Sequence, residues 1–296
     1  MITARLVPMP EPELAQWREA RAGGGAPVPE PDDHGRQEAL IVQVDQVDVG
    51  GTVLQLLEEA DGVRCMVRVL ETTLPHDATG PWTAVVAALE TRARSLGATA
   101  LAAAVAPDLA AVFGQAGFQA TMATMGKRLD PAGASELQDD RRVSIRPMTV
   151  AERQGFAADV REQLRAGMGR AGVIDRAASG LGEMEDKIAG LTADPPPETE
   201  LLMTGLVEGV PVGRAWATLV PSDDGLDFFG NTIDLFPEHR GQGLTKSFMG
   251  ALRRHVHELG VRDVRLRVYG HDQGARRTFL ENGAGVADVH LRKDLR

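Results

Sequence analysis

Phe236-Pro-Glu-His-Arg-Gly-Gln-Gly-Leu-Thr245 is followed at once by a helical stripe, Leu244, Phe248, Leu252, Val256 and Leu259, spaced four, four, four and three. Two glycines and an arginine at a helix start make an anion site. Glycine lets the backbone approach a bulky phosphate, and the unpaired N–H groups of the first turn point at it with the positive end of the helix dipole behind them. Leu226 to Leu235, just upstream, is a strand-like run, so the unit reads strand, phosphate turn, helix. A dinucleotide fingerprint is excluded, because Gly241-Gln-Gly243 lacks the third glycine three residues on.

The stretch resembles motif A of the GNAT family of N-acetyltransferases, Arg/Gln-x-x-Gly-x-Gly/Ala, with Arg240, Gly243 and Thr245 at its positions. The resemblance continues through the strand-like Val264 to Tyr269. It ends in Asp272-Gln-Gly-Ala-Arg-Arg-Thr-Phe279-Leu-Glu-Asn-Gly283-Ala, which is similar to the family's Asn-x-x-Ala-x-x-x-Tyr-x-x-x-Gly-Phe.

At 296 residues the chain is long enough for about two domains, and its 43% hydrophobic content supplies ordinary cores. It contains no apolar run of spanning length, and Met1-Ile-Thr-Ala-Arg-Leu-Val-Pro8 lacks the apolar stretch of a signal peptide. The single cysteine, Cys65, sits in the strand-like Val63 to Leu70 and reads as a packing residue. We therefore expect a cytoplasmic protein that does not engage a membrane. The net charge of −10 lies entirely in the first part: residues 1–140 carry 10 basic against 20 acidic groups, and residues 141–296 carry 22 of each. That balance argues against nucleic acid as a partner. It suits solubility or attraction of a cationic acceptor.

A repeat runs at an offset of 166 residues, with Phe113, Gly117, Lys127 and Leu129 recurring as Phe279, Gly283, Lys293 and Leu295. Trp82, Val85, Leu89, Ala93 and Leu96 form an earlier helical stripe ending at Gly97, as the later one ends at Gly260. Ile2-Thr-Ala-Arg-Leu-Val-Pro-Met and Val143-Ser-Ile-Arg-Pro-Met open the two halves alike. The small, polar stretch 131–142 reads as a linker between halves 1–130 and 143–296. Ala22 to Asp33, rich in glycine and proline, reads as a loop. The expected fold class is α+β (α/β): two tandem GNAT folds, each a mixed central sheet flanked by helices. In the second half Leu201 to Val207 and Val212 to Val220 form an expected hairpin turned by Glu208-Gly209.

The first half has Glu71-Thr-Thr-Leu-Pro-His-Asp-Ala-Thr-Gly-Pro81 where the second has its turn. Carboxylates stand where anions would bind, and Pro81 removes a donor, so only the second half is expected to hold the co-substrate.

The resemblance implies acetyl-CoA as co-substrate, no metal, and a small-molecule or peptide amine as acceptor, with the protein a monomer or homodimer. By position, Ile233, Asp234 and Leu235 would offer backbone groups to pantetheine. Arg240, Gly241, Gln242, Gly243, Leu244, Thr245 and Lys246 would hold the pyrophosphate, and Asp272 and Phe279 occupy the Asn and Tyr positions of the last motif. The family's proton donor to the departing thiolate is that tyrosine, and Phe279 has no proton to give. Tyr269, the sole tyrosine, and His271 are the candidate substitutes. Asp227 is the candidate base, acting through water, with Asn231 and Glu238 nearby. Strand alternation places Asp227, Asn231 and Ile233 on one face unless a bulge intervenes. The alternative function is a non-catalytic acyl-CoA sensor or docking module.

Overall fold

A computed structural model describes the chain apart from Met1 and residues 23–35, 60–61, 130–139, 172–182, 223–224 and 282. The expected loop from Ala22 to Asp33 and most of the expected linker lie outside the described residues. Among the described residues no helix is long and apolar enough to cross a membrane.

The chain divides into two compact units. Unit one contains β1 (Ala4–Pro8), α1 (Glu11–Ala22), β2 (Arg36–Val44), β3 (Val47–Glu59), β4 (Gly62–Thr72), α2 (Thr79–Ser95), β5 (Ala100–Val105) and α3 (Ala110–Gln115). Strands β1 to β4 pair antiparallel in sequence order, and β4 pairs β5 in parallel. The β2–β3 turn, Asp45-Gln46, has φ of 47° and 68°, a left-handed pair suited to a two-residue hairpin. The predicted stripe on α2 is the core: Trp82, Val85, Leu89 and Ala93 are buried among Leu40, Leu54, Cys65, Leu101 and Phe113. Burial pushes the Cys65 thiol up to about 12, so it packs as a small apolar group and holds its proton.

Unit two contains β7 (Ser144–Pro147), α4 (Val150–Arg170), α5 (Glu183–Gly190), β8 (Glu200–Val207), β9 (Val210–Ser222), β10 (Gly225–Leu235), α6 (Leu244–Glu258), β11 (Val261–Tyr269) and α7 (Gln273–Glu281). A single 3-10 turn, Pro237–His239, separates β10 from α6. The hairpin expected around Glu208-Gly209 is β8–β9, both turn residues having positive φ. Helix α4 starts in a capping box. Thr149 N–H donates to Glu152 at 2.7 Å and Glu152 N–H to Thr149 Oγ1 at 3.3 Å, while Arg146 clamps the same carboxylate. Leu244, Phe248, Leu252 and Val256 of α6 are buried as their spacing predicts.

The last strand of each half contributes residues to the unit built mainly from the other half. Strand β12 (Gly285–Asp294) pairs antiparallel with β5 of unit one, Val289 opposite Val105 and Asp294 opposite Ala100. The C-terminal part of β6 (Gln119–Arg128) belongs to unit two and neighbours β11. There Leu129 N–H donates to Arg262 O at 2.7 Å, and Met125 is buried against Leu266 and Val268. The repeated Gly and Lys positions meet crosswise. Lys293 donates to Ala116 O at 2.6 Å beside Gly117, and Lys127 Nζ lies 3.1 Å from where a Cβ on Gly283 would be. The units therefore do not follow halves 1–130 and 143–296. Each half carries the same helix, glycine and strand ending, so periodicity finds the strand without saying which sheet receives it.

Candidate active site

The β10–β11 ladder runs from Leu226 opposite Val261 to Gly230 opposite Leu266 and stops there. Strand β10 continues to Leu235, still paired with β9 on its other edge. The register shifts between Gly230 and Thr232, so Asn231 is the extra residue of a bulge at the point where the strands part. Among the described residues, the β10–β11 ladder has no pair from Asn231 to Leu235. Ile233, Asp234 and Leu235 lie along this opening.

The opening leads to the glycine-rich turn before α6. Gly241 and Gly243 have φ of +73° and +70°, and Gly243 is the N-cap of α6, with no side chain capping the first turn. The first N–H groups of an α-helix, here those of Leu244 and Thr245, lack an i−4 carbonyl within the helix and lie at the positive end of its dipole. A Cβ on Gly241 would meet nothing within 4 Å, and one on Gly243 only the Arg142 guanidinium at 3.8 Å, so the concavity is open. Arg240 braces it, Nε donating to Leu235 O at 2.9 Å and Nη2 to Asp234 Oδ1 at 2.8 Å. Arg142 braces the other side through Gly243 O at 2.9 Å and is paired with Asp140 at 2.8 Å. The Arg142 hydrogen bond holds the Asp140 carboxyl well below the usual range. Arg142 and Asp140 sit at the end of the expected linker, where the sequence offers only a cluster of mixed charge.

Between α6, α7 and the sheet lies an apolar cavity of about 130 Å³, lined among others by Phe228, Ile233, Leu266, Phe279 and Met125, with Lys246 and Arg253 also in its wall. Phe279 packs with Met125, Leu266 and Val268. Its neighbours are hydrocarbon, which suits a phenyl ring. Asp272 does not extend toward the turn: its Oδ1 accepts from Ala275 N–H at 2.9 Å, capping α7.

The opposite face of the sheet is covered by α4. Phe156 meets Trp216 edge-on, with centroids 6.2 Å apart, and the Tyr269 ring lies where a Cβ on Gly167 would be 2.7 Å away. Tyr269 thus points to the side opposite Phe279. It stacks on His271 with centroids 5.6 Å apart, and His271 Nε2 accepts from Arg170 Nε at 3.4 Å. Burial raises the Tyr269 phenol above its ordinary value, partly opposed by Arg267 and Arg170. A network sequence reasoning missed lies on this face. Trp216 Nε1 donates to Glu200 Oε2 at 2.5 Å, Thr218 Oγ1 donates to the same oxygen at 3.1 Å, and Asn231 Nδ2 donates to Thr218 Oγ1 at 2.9 Å. The three strands contributing it are adjacent only in the fold.

The bulge overturns the expected alignment of Asp227, Asn231 and Ile233. Ile233 packs with Leu244 and Phe248 on the α6 side, whereas the Asn231 amide reaches Thr218 on the α4 side. Asp227 is opposite Asp263 in the closed part of the ladder, four residues before Asn231, and accepts from Ser222 Oγ at 3.2 Å. It is not brought to the opening. Glu238 is exposed in the 3-10 turn.

Unit one repeats the opening without the turn. Its β4–β5 ladder stops at Val67 opposite Ala103, and Arg68 is bulged between Val67 and Val69. Beyond it, His76 Nδ1 and Asp108 Oδ2, 2.7 Å apart, join the loops that follow β4 and β5.

The chain has the tandem GNAT fold. A tandem GNAT protein from the clavulanic acid biosynthesis pathway aligns over 100% of this chain and 99% of its own, with a TM-score of 0.52 at 16% identity. A GCN5-related N-acetyltransferase from Sphaerobacter thermophilus aligns over 100% and 96%, TM-score 0.52, 16% identity. A GNAT-family acetyltransferase from Colwellia psychrerythraea aligns over 99% and 100%, TM-score 0.54, 13% identity. Among curated proteins, the uncharacterized N-acetyltransferase YycN of Bacillus subtilis (strain 168) is 30% identical over 84 residues, 28% of this chain. The match spans about half of that relative's length, 54%. No family model matches the chain.

Proposed function

We propose that unit two is an N-acetyltransferase that moves an acetyl group from acetyl-CoA to an amine by direct attack. The observation that carries the reading is the coincidence of two features: a β10–β11 opening with unpaired backbone, and at its end a glycine-rich helix start with no side-chain cap. The first suits the amide-bearing pantetheine arm and the second a pyrophosphate. On this reading the N–H groups of Leu244 and Thr245 hold the phosphates, and Arg240 and Arg142 fix the turn. Ile233 to Leu235 run beside the arm. Tyr269, kept protonated by burial, is the acid that returns a proton to the thiolate. It approaches from the α4 face, because Phe279 fills the family's usual place with hydrocarbon.

Phe279 also favours a second reading, a unit that binds acyl-CoA without turnover. A panel of a polyamine, an aminoglycoside and a lysine-containing peptide, each with acetyl-CoA and free-thiol detection, separates the two. Amine-dependent thiol release is the expected result. Stoichiometric coenzyme A binding with no thiol release from any acceptor would establish the sensor instead.

A further inference from the structure

We propose that Asn231 is the group that orients the attacking amine, and that Thr218 and Glu200 are positioning residues that hold its amide the right way round. The inference rests on the acetyltransferase reading of unit two and adds a residue set to it. Asn231 is the bulged residue at the point where β10 leaves β11, the inner end of the opening along which the proposed acyl group would lie. Leu235, next to the turn, lies four residues away, about 13 Å of strand.

Donor and acceptor chemistry fixes the amide. Trp216 Nε1 is a donor only, and the Glu200 carboxylate is an acceptor only. Thr218 has one hydroxyl proton, and with Glu200 Oε2 at 3.1 Å and Oε1 at 3.3 Å that proton goes to Glu200. The Thr218 oxygen then has only lone pairs to offer Asn231, so the Asn231 atom 2.9 Å from it is the NH2 group. The amide oxygen is left on the other prong. The chain is held on well-packed strands: Trp216 is 0% exposed and Thr218 9%.

An amide oxygen held so accepts a hydrogen bond from the acceptor's N–H and aims the nitrogen lone pair at the thioester carbon. The reaction balances simply. The ammonium gives one proton to water, nitrogen forms the C–N bond, and the C–S bond breaks. The second nitrogen proton is lost as the thiolate gains one and leaves as coenzyme A. Asn231 exchanges no proton in this scheme.

The test uses the full chain, acetyl-CoA and whichever amine of the panel gives thiol release. Thr218→Val keeps the side chain's shape and removes the hydroxyl, and Thr218→Ser keeps the hydroxyl. We expect Thr218→Val to lower kcat roughly 10- to 100-fold, the scale of a misplaced reacting group, and Thr218→Ser to restore it. Coenzyme A affinity by calorimetry should not change. Glu200→Gln, which can donate to Thr218 and reverse the chain, should lower kcat likewise, and it serves as the readout if Thr218→Val does not fold. Unchanged kcat in Thr218→Val or Glu200→Gln, equal losses in the Val and Ser variants, or parallel loss of coenzyme A binding would overturn the orienting role alone. Absence of amine-dependent turnover in the wild type would overturn the acetyltransferase reading, and this assignment with it.

Discussion

Both units open their sheets in the same way and then diverge. In unit two the ladder stops at Gly230, Asn231 bulges, and the strand runs on into a turn whose glycines have left-handed φ. In unit one it stops at Val67, Arg68 bulges, and the strand runs into a loop bearing His76. Helix α2 has Gly80 and Pro81 in its first turn, and no side chain caps it either. The missing feature is the pair of left-handed glycines before the helix, with their bracing arginines. Both units thus part their strands at a bulge, and they differ in the few residues that follow it.

The largest effect that would break this contrast concerns the exchanged strand. A fragment of residues 141–296 lacks β6, and with it the buried Met125 and the Leu129 hydrogen bond. We expect it to lose cooperative unfolding and coenzyme A binding, whereas residues 117–286 keep both. Circular dichroism melts and calorimetry on the two fragments decide the matter. Cooperative unfolding of the shorter piece would show that the exchange is dispensable.

Next in size is the turn. Gly243→Asp places a side chain at φ +70° and a negative charge where phosphate would sit. We expect coenzyme A affinity to fall by more than about 100-fold, because two separate penalties act together. Titration of the wild type should give one site per chain. Two equivalent sites would erase the distinction between the units.

Tyr269 sharpens the comparison at the level of chemistry. Tyr269→Phe should lower kcat by about 10- to 100-fold, the usual worth of a general acid, without changing coenzyme A affinity. Because burial raises its ionisation, the phenol remains protonated through its ordinary value, so any alkaline decline in kcat it causes falls above pH 10 and disappears in the variant. A full rate in Tyr269→Phe would exclude it. Phe279→Tyr, by contrast, places a hydroxyl among Met125, Leu266 and Val268 and should cost about 1–3 kcal/mol in stability, read from denaturant melts.

The smallest effect is acid sensitivity at the start of α4. Arg146 holds the Glu152 carboxyl down to about 2, below its ordinary 4.5. A depressed folded value means the contribution is complete above the unfolded value and fades as pH falls from about 4.5 toward 2. Glu152→Gln should remove part of the fall in melting temperature over that window. An unchanged profile would mean the clamp contributes nothing measurable.

The glycine turn and the α6 stripe were legible because both are local: a glycine's φ and a four-residue spacing need no distant partner. The bulge was not legible. Nothing in Gly230-Asn231-Thr232 marks an extra residue, and one residue is enough to turn Ile233 away from Asn231. Glu200, Thr218 and Asn231 come from three strands, so only the sheet register brings them together. Arg142 was hidden for the same reason, since its partner carbonyl on Gly243 is 101 residues away. Phe279 was legible as a departure from the family pattern, and its cause became clear only with its hydrocarbon neighbours in place.

The crosswise strands also bear on how such a chain is inherited. Deleting the first half would remove the buried Thr124 and Met125 of β6 from unit two, and deleting the second would remove β12 from unit one. On the proposed reading, the half without a glycine turn is expected to be kept for the strand it supplies. Its binding loop is free to drift, while the Gly117 and Lys293 pairing and the β6 sequence remain under constraint. Sequence change across relatives should be steepest in Glu71 to Pro81 and shallowest in the two strands that changed places.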